Sequence, residues 1–221
     1  MFIPDHAPET LAEMYAFLLP SVGDGLFDDV SFDDPDNPTK LVCTQNGHPV
    51  AAMTVVNNDW IIAPYAAQGS SAEYYRSFNG YPLATVMRCT GGICFISVSD
   101  SGSRHVFVIA KTSDGQTGCL YFTHLVTFYP DDRITFYPTC FGDNTELSLY
   151  SHGFVVSGNL GSADRTILTR LPVVGQRGST GFFSGVFMRN VMQFNDNGEQ
   201  IIGGKHYGCL YHIALLDEES A

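Results

Sequence analysis

The chain has 221 residues, of which 44% are hydrophobic and only 15% are charged. This composition excludes an intrinsically disordered chain, which combines low hydrophobicity with high charge. The formal net charge of −12 repels phosphate backbones and anionic headgroups, so we expect neither nucleic acid nor a membrane surface as a partner. Residues 1–6 lack the basic and apolar regions of a secretory signal, so we expect synthesis in a cytosol.

Residues 1–40 differ from the rest of the chain, because they carry nine acidic side chains and one basic side chain. The run from Asp24 to Asp36 lacks the ligand spacing of an EF-hand, so we do not expect it to bind calcium. Pro8 and Glu9 begin an apolar pattern that predicts a helix over residues 8–19, ended by Pro20. We interpret residues 1–40 as an acidic assembly arm.

The arm would be held by its apolar side chains, since each buried Leu or Phe contributes about 1.5–3 kcal/mol. Two anchoring surfaces are open: the protein's own sheet, or a neighbouring subunit with basic character, such as one presenting Arg165, Arg170 or Arg177. The candidate anchors are Leu11, Met14, Phe17, Leu18, Phe27 and Phe32.

Residues 41–221 form one predicted domain of short strands, rich in β-branched and aromatic residues and separated by turn signals such as Asn46-Gly47. At least ten strands and no further convincing helix predict an all-β protein, an antiparallel β-sandwich or jelly-roll-like fold with one short N-terminal helix. Residues 64–80 and 175–185 are the predicted long loops. The predicted strands span residues 41–44, 50–56, 81–89, 93–99, 104–111, 118–129, 133–137, 146–150, 154–157, 165–173, 185–194, 199–202 and 207–216.

The six cysteines contain no C-x-x-C pair, so we expect small buried thiols and no metal site. If Gly91-Gly92 is a two-residue loop, Cys89 and Cys94 face each other across a hairpin. His206 and His212 lie about 20 Å apart on an unbroken strand, too far apart to share an ion.

Catalytic motifs are missing from the sequence. There is no G-x-S-x-G elbow and no phosphate-binding loop of the G-x-x-x-x-G-K-[ST] type. Most acidic residues after position 40 adjoin turn residues, which leaves Glu73 and Glu146 as the candidates for a glycan hydrolase. We expect a protein that is not an enzyme and that needs no cofactor.

Aromatic side chains offer a different kind of site. Trp60 is the single tryptophan, and four more rings fall within or beside the predicted loop at 64–80. Such a cluster suits a protein interface or a sugar ring, although plugging the end of a sandwich explains it equally well. The four candidates are Tyr74, Tyr75, Phe78 and Tyr81.

The C-terminal residues 182–187, 199–207 and 213–218 resemble the ends of small virion proteins encoded by tailed phages and prophages of gut Firmicutes. In those proteins a strand, a Gly-Lys turn and a final strand of the type "iaLlDe" close the chain. The resemblance spans about 40 residues and transfers no functional residues. It implies an all-β particle component that is made in the bacterial cytoplasm and incorporated in a virion.

Three hypotheses follow. The first is a non-enzymatic structural or assembly protein of a phage particle, in a capsid, neck or tail accessory role, whose partners are other virion proteins or further copies of itself. The scarcity of lysine, with three residues, suits extensive protein contact. The second is a carbohydrate- or receptor-binding module that uses Trp60 or the 74–81 rings on a surface glycan. The third is the glycan hydrolase.

Overall fold

The computed structural model describes residues 1–64, 78–98, 104–113, 115–123, 133–134, 139–141, 145–148, 154–155, 168–175, 180–189, 197–211 and 213–218. The all-β prediction is confirmed, since antiparallel strands dominate these residues and the helical segment near the N-terminus is short.

Two helices precede the strands: α1 (Leu11–Leu18) and α2 (Pro20–Gly23). The strands that follow are β1 (Asp29–Phe32), β2 (Leu41–Gln45), β3 (His48–Val56), β4 (Asp59–Pro64), β5 (Phe78–Tyr81), β6 (Leu83–Cys89), β7 (Gly92–Val98), β8 (Arg104–Lys111), β9 (Thr117–Thr123), β10 (Arg133–Ile134), β11 (Thr139–Phe141), β12 (Thr145–Ser148), β13 (Phe154–Val155), β14 (Leu168–Gly175), β15 (Thr180–Arg189), β16 (Gly198–Ile202), β17 (Lys205–Leu210) and β18 (Ile213–Leu216).

In the part of the chain that the structure describes, the strands form three larger sheets and one small pair. The sheet orders are β1-β2-β3-β4-β5, β6-β7-β8-β9 and β11-β12-β14-β15-β18-β17-β16, while β10 pairs with β13. Every strand pairing among the described residues is antiparallel, which agrees with short hairpin connections.

The four-stranded sheet is the middle layer. On β7 and β8, Phe95 and Phe107 pack in the cluster shared with α1 and the five-stranded sheet, whereas Ile96 and Val106 pack in the cluster shared with the seven-stranded sheet. Because successive side chains on a strand point to opposite faces, a layer buried on both faces needs uninterrupted apolar runs. The sequence 92–98, buried at every position but the last, is such a run.

The acidic segment at residues 1–40 packs within the protein's own core. A capping box between Thr10 and Glu13 begins α1, and Met14, Phe17 and Leu18 are buried beneath it. Strand β1 then pairs along β2. The helix predicted at 8–19 is confirmed, but α1 begins three residues later and ends one residue earlier.

This packing corrects the interface assigned to the arm. Phe27 is buried in the same cluster, and Leu11 and Phe32 are partly buried against it. Of the two anchoring surfaces that the sequence left open, the protein's own sheet is the one observed. The apolar side chains that we expected to bind a partner are therefore occupied within the chain.

Several strand predictions were wrong in detail. The run at 207–216 is a hairpin of β17 and β18, turned at Tyr211, whose φ of 52° gives no glycine signal in the sequence. The run at 81–89 changes sheets at Pro82, since β5 and β6 belong to different layers. Residues 180–185, predicted as loop, lie in β15.

The β6–β7 turn also differs from the prediction. Cys89 lies opposite Gly92 and Cys94 opposite Met87, so the turn residues are Thr90 and Gly91 and the two cysteines do not face each other. Gly92 is the first residue of β7, and a side chain is excluded there because a Cβ would lie 2.5 Å from the carbonyl oxygen of Ile109 on β8.

Candidate functional site

The Thr90–Gly91 turn joins the middle layer to the seven-stranded sheet. The ladder between β15 and β18 runs from the Val186–Leu215 pair to the Met188–Ile213 pair. Just beyond it, the Gly91 N–H donates to the Leu216 carbonyl at 2.8 Å. Gly91 also lies directly against Gly185, where a Cβ on Gly185 would lie 2.7 Å from the Gly91 carbonyl carbon. Two glycines therefore allow the turn to enter the gap between two strands.

A cleft of about 670 Å³ opens beside this turn. Its floor includes Phe187, Tyr207 and Leu216, which alternate along their strands with residues of the inner cluster and so lie on the face turned away from the middle layer. The Phe187 and Tyr207 rings meet edge to face, with centroids 5.7 Å apart. The volume falls in the range of small-molecule sites.

Three basic side chains line the cleft: Lys111, Arg170 and Lys205. They include two of the three lysines of the chain. Two acidic side chains also line it, Asp24 and Glu218. The formal charge of the lining is therefore +1, three cations less two carboxylates, in a protein of net charge −12.

The three cations are held differently. The Arg170 guanidinium lies over the Phe182 ring, with its central carbon 4.4 Å from the ring centroid. The Lys111 ammonium donates to the Asp24 carbonyl at 2.6 Å. The Lys205 ammonium is 3.6 Å from a carboxylate oxygen of Glu218, and both side chains are largely exposed, so this pair contributes little stability.

A second exposed feature, the edge patch, consists of β16 together with residues 1–3. Strand β16 ends the seven-stranded sheet, and its Ile201 side chain is 67% exposed. On the same face, Gly208 lies opposite Glu199 and is covered by Met1. Phe2 pairs its backbone with Arg88 on the edge strand β6, and Met1, Phe2 and Ile3 are exposed.

The outward backbone groups of β16 follow from its pairing. The Asp217 N–H donates to the His206 carbonyl at 3.0 Å, so the backbone of His206 points toward the β18 side. Its cross-strand partner Ile201 must then point its own N–H and C=O away from β17, as must Glu199. Within the described residues, no strand pairs with this side of β16.

Two of the acidic side chains at 24–36, Asp33 and Asp34, accept hydrogen bonds from nearby residues of the acidic segment. Asp33 accepts hydrogen bonds from the Thr39 hydroxyl at 2.5 Å and from the Thr39 and Lys40 N–H groups. These bonds, led by that from the hydroxyl, lower the pKa of Asp33 to about 2. Asp34 accepts from the N–H of Asp36 at 2.9 Å. In the described part of the chain, no three His, Cys, Asp or Glu side chains are placed to hold a metal ion.

The thiols are buried rather than poised for reaction. Burial raises the pKa of Cys89 to about 12, with a further increase from the charge of Asp217. Burial likewise raises the pKa values of Cys43 and Cys94. A thiol is a nucleophile only as its thiolate, so these side chains are inert near neutral pH.

The residues proposed for catalysis or sugar binding fall into two groups. Trp60 is fully buried and donates its indole N–H to the Pro8 carbonyl at 2.9 Å, so the prediction that it forms a binding platform is wrong. Phe78 and Tyr81 lie in β5 rather than in a loop, and Tyr81 stacks on His105 with centroids 5.6 Å apart. Tyr74, Tyr75 and Glu73 lie outside the described residues, as does the side chain of Glu146.

Sequence reasoning missed the cleft. Its cations lie on β8, β14 and β17, which belong to two different sheets, so only the strand order and the packing of the two sheets bring them to one cleft. The scarcity of lysine drew attention to interfaces in general, but nothing in the sequence paired Lys111 with Lys205. Arg170 was a candidate for a basic surface, whereas Arg165 and Arg177 lie outside the described residues.

The fold and these two features define an all-β protein with an exposed strand edge and a charged cleft. No protein-family model, curated protein or solved structure matches the chain. None of the helices among the described residues has the length and apolar character needed to cross a membrane.

Proposed function

We propose that this protein is a non-enzymatic structural protein of a phage particle, in a capsid, neck or tail accessory role, and that it assembles through contact with a second copy of itself. The observation that carries the proposal is the edge patch, in which an open strand edge lies beside exposed apolar side chains. The resemblance of the C-terminal strands to small virion proteins is the reason for placing the protein in a phage particle.

Pairing of β16 with the same strand of a second copy is geometrically self-consistent. Two identical antiparallel strands are related by a two-fold axis, the commonest symmetry of protein dimers. An axis at Gln200 places Glu199 opposite Ile201 of the partner, so the outward backbone groups of the two strands exchange four hydrogen bonds. This register also keeps the two Glu199 carboxylates from facing each other directly.

Nearby side chains favour the same contact. The Glu199 carboxylate lies 2.8 Å from Nδ1 of His206 on the neighbouring strand, so its charge has a local partner. Arg88 lies over the rings of Phe2 and Phe17, at 5.1 and 5.6 Å, which holds Phe2 against the protein beside the edge. Holding Phe2 in this way favours an interface, because little freedom of its side chain is then lost on contact.

The test compares Ile201→Lys with Val56→Lys by light scattering after size exclusion, across the micromolar range. Val56 is the matched control, since it is also β-branched and is 62% exposed. We expect wild type and Val56→Lys to form dimers or larger species and Ile201→Lys to be monomeric. Ile201→Pro, which removes one outward N–H, should act like Ile201→Lys.

A monomeric wild type, or equal effects at positions 56 and 201, would contradict contact through β16. The particle is tested separately, by mass spectrometry of purified particles induced from a host that carries the gene. We expect the chain in stoichiometric amounts, and its absence from particles would refute the virion role.

A further inference from the structure

We propose that the cleft beside the Thr90–Gly91 turn binds a sugar that carries a single carboxylate, such as a uronic or sialic acid residue of a glycan. This inference goes beyond the assembly function and does not depend on it. The proposed sugar site is the cleft, which was not predicted from the sequence, and not the buried Trp60.

Arg170 is suited to receive the carboxylate. A guanidinium that stacks on an aromatic face keeps its N–H donors directed outward in the guanidinium plane, and these donors fit the two oxygens of a carboxylate. Because the contact with Phe182 restricts the Arg170 side chain, less rotamer freedom is lost when the acid binds. Arg170 is itself exposed and lies opposite Phe187 across the β14–β15 pair.

The lysines add charge from two other sides. One donor of the Lys111 ammonium is used on the Asp24 carbonyl, which leaves two for a ligand. Lys205 is only loosely held by Glu218 at 3.6 Å and can turn toward an anion. Together they place positive charge around a cleft whose protein otherwise repels anions.

The local charge balance selects for a single negative charge. Asp24 and Glu218 also line the cleft, so the lining has a formal charge of +1. A polyanion such as a phosphate chain would meet these carboxylates and the −12 field of the whole protein. A monocarboxylate matches the lining, and its affinity should fall with added salt.

The floor favours a sugar ring over a peptide. Phe187 is half-buried and presents an apolar surface beside Tyr207, against which the C–H face of a pyranose can pack. An acidic peptide that bound by strand addition would instead need an open strand edge for its backbone. The gap between β15 and β18 is already filled by Gly91, whose N–H bonds to Leu216.

The experiment titrates the protein with sialyllactose and, in parallel, with lactose as the uncharged match, following backbone amide shifts by NMR. We expect sialyllactose to shift Gly91, Gly185 and their neighbours, and lactose to bind at least about tenfold more weakly, because a hydrogen bond to a charged group is lost. A trisaccharide that carries glucuronic acid is the second acidic probe. Binding of either acidic probe in the cleft supports the proposal.

Variants locate the binding. Arg170→Gln should weaken sialyllactose binding at least about tenfold, and Lys205→Gln should weaken it less. Lys40→Gln is the control, since it removes the same charge outside the cleft and should leave affinity unchanged. Equal binding of lactose and sialyllactose, no effect of Arg170→Gln, or absence of binding by both acidic probes would overturn the proposal. Equal shifts from sodium acetate at the same concentration would also overturn it, because the sugar would then contribute nothing.

Discussion

Replacing Gly185 with alanine should be among the most destabilising single-methyl changes in the described residues. The new Cβ would lie closer to Gly91 than van der Waals radii allow, at 2.7 Å from its carbonyl carbon and 3.0 Å from its Cα. Both contacting atoms are backbone, so no side chain can rotate away. Either β15 or the Thr90–Gly91 turn must move.

The cost follows from what such a movement breaks. Overpacking alone costs about 1–3 kcal/mol. Displacing the turn also stretches the bond from Gly91 N–H to Leu216 at 2.8 Å and that from Lys111 N–H to the Gly91 carbonyl at 3.0 Å, each of which contributes about 1 kcal/mol. The free energy of unfolding should therefore fall by about 3–5 kcal/mol, a large part of the stability of an ordinary domain.

Urea unfolding at constant pH measures this change, with Gly23→Ala as the matched control. Gly23 also lines the cleft, but a Cβ there meets nothing within 4 Å. We expect that control to stay within about 0.5 kcal/mol of wild type. If Gly185→Ala is equally mild, the close approach of the two glycines is wrong, and so is the route by which the turn enters the seven-stranded sheet.

The remaining predictions concern the core and the turns. Trp60→Phe should lower stability by about 1–3 kcal/mol, since it leaves a buried carbonyl without its donor; unchanged urea unfolding would contradict this. Asp33→Asn should reduce stability at neutral pH, with the difference from wild type fading as pH falls from about 4 to about 2, because a carboxyl with a lowered pKa stabilises the fold only while it is ionised; a difference that persists at pH 2 in urea titrations would refute the linkage. Deleting residues 1–36 should abolish cooperative unfolding, as seen by circular dichroism, since it removes α1 and β1 from the core. A thiol reagent at pH 8 should label at most one of the six cysteines in the native protein and all six in guanidinium, and rapid native labelling of more than one would show that the buried thiols are accessible. The cysteines buried in the described residues are Cys43, Cys89, Cys94, Cys119 and Cys209.

The sequence predicted those features that depend on local chemistry. Asn46 and Gly47 have φ values of 53° and 73°, as a tight hairpin requires, and the turn was predicted from that pair. The helix near residue 11 followed equally from apolar spacing and Pro20. The hairpin at Asn57-Asn58, with φ values of 53° and 68°, has the same chemistry, although no strand was predicted between the strand at 50–56 and the loop at 64–80.

Features that depend on layering could not be predicted in this way. The contact between Gly91 and Gly185 joins residues that are distant in the chain, and each glycine alone indicates only a turn or a bulge. The packing of the acidic segment was misjudged for a related reason. Nine acids suggested exposure, but only Glu13 and Asp29 of them lie in α1 and β1, each next to a buried residue, Met14 or Val30. Charge on one face gives no information about what the other face contacts.

The arrangement around the Thr90–Gly91 turn makes the fold and the cleft depend on the same contacts. The Thr90 hydroxyl accepts a hydrogen bond from the Glu218 N–H at 2.8 Å, so the residue that faces Lys205 is positioned by the end of the middle layer. Lys111 ends β8 and bonds through its own N–H to Gly91.

The cleft is thus lined from strand ends that the core already fixes, and a ligand that enters it need not order a loop. Ordering a loop on binding costs free energy and lowers the affinity obtained from a given buried area. Because this cleft avoids that cost, it can bind a small acid with few contacts. It follows that substitutions at the turn should weaken stability and acid binding together, whereas Arg170→Gln should weaken binding alone.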